Sequence, residues 1–135
     1  MSSPVNTENP PYNGWMHSRN KGARGELEAC EALDAIGLDC RRTVQYNGQS
    51  GLADIVCDQA PNLHFEVKRT ERLNLFGALD QALRDSKGKR LPVILCRSNH
   101  RPWMLCIRTV DVPAFVEEFQ RARRIPTSDS QREAL

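Results

Sequence analysis

The stretch from Asp54 to Lys68 constrains this chain more than any other. It reads as two short apolar-rich runs, Asp54-Ile55-Val56-Cys57-Asp58 and Leu63-His64-Phe65-Glu66-Val67-Lys68, joined by the turn-prone Gln59-Ala60-Pro61-Asn62. In the second run Leu63, Phe65 and Val67 alternate with His64, Glu66 and Lys68, the period of a strand with one face in a core. Glu66 and Lys68 therefore point the same way. Asp54 shares its strand face with Val56, so pairing the two runs sets it beside them. Two carboxylates and an ammonium on one spot suit a divalent cation facing a phosphate. The competing account is a solvated strand face, where Glu and Lys are commonplace.

The segments on either side supply the frame. From Gly22, the residues Ala23, Leu27, Cys30 and Leu33 form a stripe at helical spacing, and Gly37 stands where a helix C-terminal glycine belongs. Glu26 adjoins this stripe and can face inward at its flank, while Glu28 and Glu31 lie farther round, toward solvent. Residues 39–46 suit a strand, and Asn47-Gly48-Gln49-Ser50-Gly51 a flexible loop able to approach a ligand. Leu75, Ala78, Leu79, Ala82 and Leu83 mark an amphipathic helix. Pro92-Val93-Ile94-Leu95-Cys96 reads as a buried strand and Trp103 to Ile107 as another, with Trp103 in the core. Asp111 is positioned to cap a final helix whose inner face is Val112, Phe115, Val116 and Phe119.

The order αβββαββα predicts an α/β fold, a mixed central sheet flanked by helices. At 135 residues there is room for one domain with a real core. That domain is expected over residues 21–124, preceded by a mobile N-terminal arm (1–20) containing Pro4, Pro10 and Pro11, and followed by a polar tail (125–135).

Composition bounds the function classes. Charged residues make up 27% and the hydrophobic set 39%, ordinary for a globular chain. No apolar run approaches the ~20 residues that span a bilayer, and the N-terminus carries no signal-peptide core, so no membrane partner is expected and the location is intracellular, in the cytoplasm. The five cysteines are an odd number without a C-x-x-C pair, and small buried thiols are favoured over disulfides or zinc. His64 reads as a partly exposed strand histidine. The formal net charge is only +2, yet the basic residues cluster at Arg19, Lys21 and Arg24, at Arg41 and Arg42, at Lys68, Arg69 and Arg72, at Lys87 to Arg90 and at Arg121 to Arg124. Such clusters either neutralise a nucleic-acid backbone or are plain solvated surface.

The acid that begins one strand, the Glu-x-Lys that ends the next and the helical Glu26 ahead of both resemble the PD-(D/E)xK nuclease superfamily, with its restriction-endonuclease-like core. Within it the chain looks most like archaeal-type and phage Holliday-junction resolvases, through Lys21-Gly22-Ala23-Arg24-Gly25-Glu26, Gly51-Leu52-Ala53-Asp54-Ile55 and Phe65-Glu66-Val67-Lys68. The resemblance covers about residues 21 to 108. It implies a catalytic set of Glu26, Asp54, Glu66 and Lys68, and Mg2+, for which Mn2+ can substitute, held by Asp54, Glu66 and Val67. Lys21, Arg24, Arg41, Arg42, Ser50, Arg69, Arg72 and Gln81 are the corresponding candidates for DNA contact. The implied activity is paired hydrolysis of a four-way DNA junction by a homodimer. Two alternatives stay open: a nuclease of the same superfamily acting on other branched or duplex DNA, and a DNA-binding module that keeps the fold without cutting.

Overall fold

A computed structural model describes residues 14–43 and 53–124. The expected arm up to residue 13, the loop containing Ser50 and the tail from residue 125 lie outside the described residues. The elements run α1 (Gly14–Ala35), β1 (Arg41–Arg42), β2 (Ile55–Val56), β3 (Leu63–Arg69), α2 (Leu75–Asp85), β4 (Leu91–Arg97), β5 (Met104–Cys106), a single 3-10 turn (Thr109–Asp111) and α3 (Val112–Arg124). The five strands form one mixed sheet in the order β1-β2-β3-β4-β5. β3 and β4 are parallel over their full length, from Leu63↔Leu91 to Arg69↔Arg97, and the other neighbours are antiparallel. The fold is therefore the α/β arrangement of a mixed sheet flanked by helices, in the expected αβββαββα order.

The alternation in β3 decides which helix covers which face. Leu63 and Phe65 turn to one side and join Val93 and Leu95 of β4 in the main core, closed by Ala29 and Leu33 of α1 and by Phe115, Phe119 and Ala122 of α3. Trp103 packs against this core, as expected. On the opposite side Ala78 and Ala82 of α2 lie on Ile94, with Leu75 and Cys106 around them. The alanines let α2 approach closely, and this closes over the polar residues of β3. His64 is 1% and Glu66 2% exposed. The expectation of a partly exposed histidine on a wet strand face is thus corrected: the face is roofed by a helix some ten residues farther along the chain.

Several boundaries differ from those the sequence suggests. α1 begins at Gly14 instead of Gly22, so residues 14–20, assigned to the arm, are its first turns. Once a helix is nucleated each added residue gains a backbone bond, and no proline interrupts residues 14–35. Gly22 and Gly25 do not break it. A Cβ at Gly25 would stand 2.9 Å from Cβ of Arg69, so glycine there lets α1 approach the end of β3. The helix ends at Gly37 as expected, with φ of +96° and Leu38 N–H bonded to the Leu33 carbonyl at 2.9 Å.

The inner face of α3 also shifts. Val112 and Val116 are exposed, and the inner stripe is the buried Glu118 and Ala122 with the partly buried Phe115 and Phe119. Glu118 displaces the valines because its carboxylate is needed inside. It accepts from Asn62 N at 3.1 Å and Asn62 Nδ2 at 3.0 Å, tying α3 to the turn before β3. Asp111 binds Arg108 Nε at 2.7 Å, and a 3-10 turn stands where the sequence suggested a simple cap. Glu118→Ala removes the acceptor for both Asn62 donors and should cost about 1 kcal/mol of stability, since Asn62 is exposed and water can replace part of what is lost, read as a lower denaturation midpoint with an unchanged slope. No helix among the described residues is long and apolar enough to cross a membrane. All five cysteines are free thiols, with Cys57 and Cys96 buried.

Candidate active site

The site lies where β2 parts from β3. The two strands pair at Ile55↔Phe65, and one step along this antiparallel register Asp54 stands beside Glu66. Asp54 is held from both sides. The Thr43 N–H, at the end of β1, bonds its carbonyl at 3.1 Å and the Thr43 hydroxyl bonds the same carbonyl at 3.1 Å. Its carboxylate Oδ2 accepts the Val67 N–H at 2.9 Å. This bond to the main chain between Glu66 and Lys68 locks the two strand segments together at the site.

Glu26 and Lys68 complete the arrangement. A cleft of about 370 Å³ is lined by Gly22, Gly25 and Glu26 of α1, by Asp54, by Glu66 to Arg69 of β3 with Thr70 beyond it, and by Gln81 of α2. The structure thus brings Glu26, Asp54, Glu66, Val67 and Lys68 to one cavity. Lys68 Nζ stands 3.5 Å from Glu66 Oε1 and donates to Gln81 Oε1 at 3.2 Å. Its side chain is 34% exposed, so a cation reaches the cleft surface while Glu66 beneath it is buried. Glu26 Oε2 accepts from Arg42 Nε at 2.8 Å.

The electrostatics are those of too many carboxylates for the positive charge present. Burial, reinforced by the charge of Asp54, pushes Glu66 up to about 7 against the partial offset of Lys68. Burial also raises Asp54, opposed chiefly by its bond from the Val67 N–H and by Lys68. Glu26 is raised by burial as well, opposed first by the hydrogen bond from Arg42. Three carboxyl groups held above their ordinary range in one cleft would each be stabilised in ionised form by positive charge brought there. Hard oxygen donors of this kind fit Mg2+ or Mn2+, with Asp54 and Glu66 as the side-chain donors and the Val67 backbone at hand.

The basic residues singled out from the sequence divide into two groups. Arg24 and Arg72 are exposed, and Arg41 is exposed in an open pair with Asp58 at 3.4 Å. Arg42 is bound to Glu26, and Arg69 to Glu28 Oε2 at 3.4 Å and Asn99 Oδ1 at 2.9 Å. Gln81 serves as the acceptor for Lys68. The side chain of Lys21, like Ser50, lies outside the described residues.

Glu28 is a correction. It does not face solvent freely but joins Arg69 to Arg97 Nη1, at 3.1 Å, across β3 and β4. Helical spacing places it off the apolar stripe and gives no hint of two arginines waiting there. Asp85 escaped notice altogether, although it lies one turn beyond Gln81 and so returns to the same face of α2.

No family model and no curated protein matches the sequence. A solved structure does: Hjc, a Holliday junction resolvase from the archaeal hyperthermophile Archaeoglobus fulgidus, with 19% identity, a TM-score of 0.51, and coverage of 63% of this chain and 75% of that one. At that identity the likeness is one of fold, here a five-stranded mixed sheet with flanking helices.

Proposed function

We propose that this chain is a metal-dependent DNA endonuclease of the PD-(D/E)xK type that cleaves four-way junctions as a homodimer. The observation that carries the reading is the meeting of Glu26, Asp54, Glu66 and Lys68, from three separated segments, in one cleft of a fold shared with a Holliday junction resolvase.

Asp54, Glu66 and the Val67 carbonyl would hold Mg2+ or Mn2+. When bound, such an ion supplies charge neutralisation at a phosphate and lowers the pKa of water. The residues of the chain do the rest. The Lys68 ammonium is kept at the cleft surface by Gln81 on one side and Glu66 on the other, in reach of a phosphate oxygen or of the attacking water. Glu26, across the cleft on α1, offers a carboxylate oxygen to that water while Arg42 fixes its orientation. Asp54 aligns the β3 backbone through the Val67 N–H, which holds Glu66 and Lys68 in register. The exposed Arg24, Arg41 and Arg72 contribute sequence-independent contacts to the DNA backbone. A homodimer would present two such clefts to opposing strands.

The test is cleavage of a labelled four-way junction with Mg2+, in competition with linear duplex. Paired nicks in the junction, with the duplex largely intact, are the expected result. Cleavage of both alike would move the assignment to a nuclease of broader target, and magnesium-independent binding with no cleavage would make the chain a binding module.

A further inference from the structure

We infer that His64, Glu66 and Asp85 form a second divalent-metal site, of the transition-metal class, between β3 and α2 and behind the proposed nuclease cleft. One ligand atom from each of the three lies within 4.8 Å of the other two. The arrangement follows from the fold. β3 sends His64, Glu66 and Lys68 to the α2 side, and α2 answers with Gln81 opposite Lys68 and, one turn later, Asp85. Glu66 stands between, its Oε1 turned to Lys68 at 3.5 Å and its Oε2 to His64 Nε2 at 4.0 Å.

The histidine points to a ligand independently of the carboxylates. His64 is 1% exposed, and its Nε2 has no hydrogen-bond partner among the described residues. At 4.0 Å the approach to Glu66 is too long for a hydrogen bond. Buried polar atoms are nearly always partnered, so a buried ring nitrogen that faces the Glu66 carboxylate at 4.0 Å without bonding it calls for a bridging species.

A divalent ion coordinated by one neutral imidazole and two carboxylates gives a neutral cluster, which a buried site tolerates far better than the bare acids. Ligand atoms about 2.0–2.2 Å from a zinc ion stand roughly 3–4 Å from one another, so a modest rotation of the half-buried Asp85 would close the group. Glu66 is common to both sites, one carboxylate oxygen toward each, and the imidazole is what distinguishes this one from the cleft. Imidazole favours Zn2+ and its neighbours, whereas the oxygen-only cleft favours Mg2+.

The experiment is titration of the chelator-stripped full chain with Zn2+ by calorimetry, and with Co2+ followed by visible absorption. Wild type should bind Zn2+ in the presence of excess Mg2+ and give Co2+ bands of a nitrogen-containing site. His64→Gln and Asp85→Asn should each weaken binding by about tenfold or more, and Asp54→Asn should not. Asp85 is only half-buried, so its variant decides the matter should His64→Gln fail to fold in a circular-dichroism melt. Absence of Zn2+ binding in wild type, equal affinity in Asp85→Asn, or loss of binding through Asp54→Asn or Mg2+ competition would overturn the inference. Because the readout is binding, a failure to cleave DNA leaves this result standing, and the converse holds too.

Discussion

Asp54→Asn is expected to leave the fold intact and to lower magnesium-dependent junction cleavage by about 10³-fold or more. The two halves of this result have separate causes. Asp54 contributes structurally through Oδ2, which accepts the Val67 N–H. An asparagine carbonyl oxygen can accept the same bond from the same place. The substitution also removes a negative charge that burial holds above its ordinary range and that itself pushes Glu66 up, so the folded state should not lose stability and can gain some. What the amide cannot do is supply an anionic oxygen to a divalent ion. Loss of cleavage with an unchanged or higher melting temperature is therefore the expected pair of readouts. Wild-type rates in the variant would remove Asp54 from the mechanism, and loss of both activity and fold would assign it a structural role.

The parts of the fold that the sequence reveals are those governed by local periodicity. The alternation of Leu63, Phe65 and Val67, the stripe from Leu75 to Leu83 and the run from Pro92 to Cys96 each specify an element and its inner face, and Gly37 marks a stop that its positive φ explains. The convergence of Asp54 and Glu66 follows from strand parity and needs only a hairpin. The other face of β3 is different. Whether His64 and Glu66 meet water or a helix depends on how closely α2 can approach, and the only local sign is the small size of Ala78 and Ala82. Arg69 shows the same limit. As one member of a basic cluster it reads as a phosphate contact, whereas in the fold it is bound to Glu28 and Asn99, from segments 41 and 30 residues away. Periodicity says which side a residue takes, while its partners there depend on long-range packing. Val112 and Val116 failed for a related reason: an apolar pair outranked Glu118 by hydropathy, but the turn at Asn62 needed an acceptor.

Glu66→Gln is expected to abolish cleavage to a similar degree and, without metal, to remove a pH-dependent loss of stability. The unfolded chain releases the Glu66 proton near 4.5, whereas burial first and the charge of Asp54 second hold it in the folded protein up to about 7. Between those values the folded state binds more protons than the unfolded one, so stability falls as pH rises. The penalty is absent at low pH, grows through that window and is complete above it. Its size is on the order of 3 kcal/mol, or roughly 10–15 °C in the melting temperature of a domain this small. Asp54 and Glu26 are shifted in the same direction and act with the same sign. Glutamine carries no proton to lose, so the variant should show a distinctly flatter profile and melt above wild type at alkaline pH in chelator. Mg2+ should reverse the order, because an ion that binds only the ionised carboxylates stabilises wild type increasingly as pH rises and has little to hold in the variant. Melts with chelator or with Mg2+ from about pH 5 to 8 check both statements. Equal slopes for the two proteins would place the proton elsewhere, while a crossover between the chelator and Mg2+ series ties the cost of burying Glu66 in the empty cleft to the affinity for the ion that offsets it.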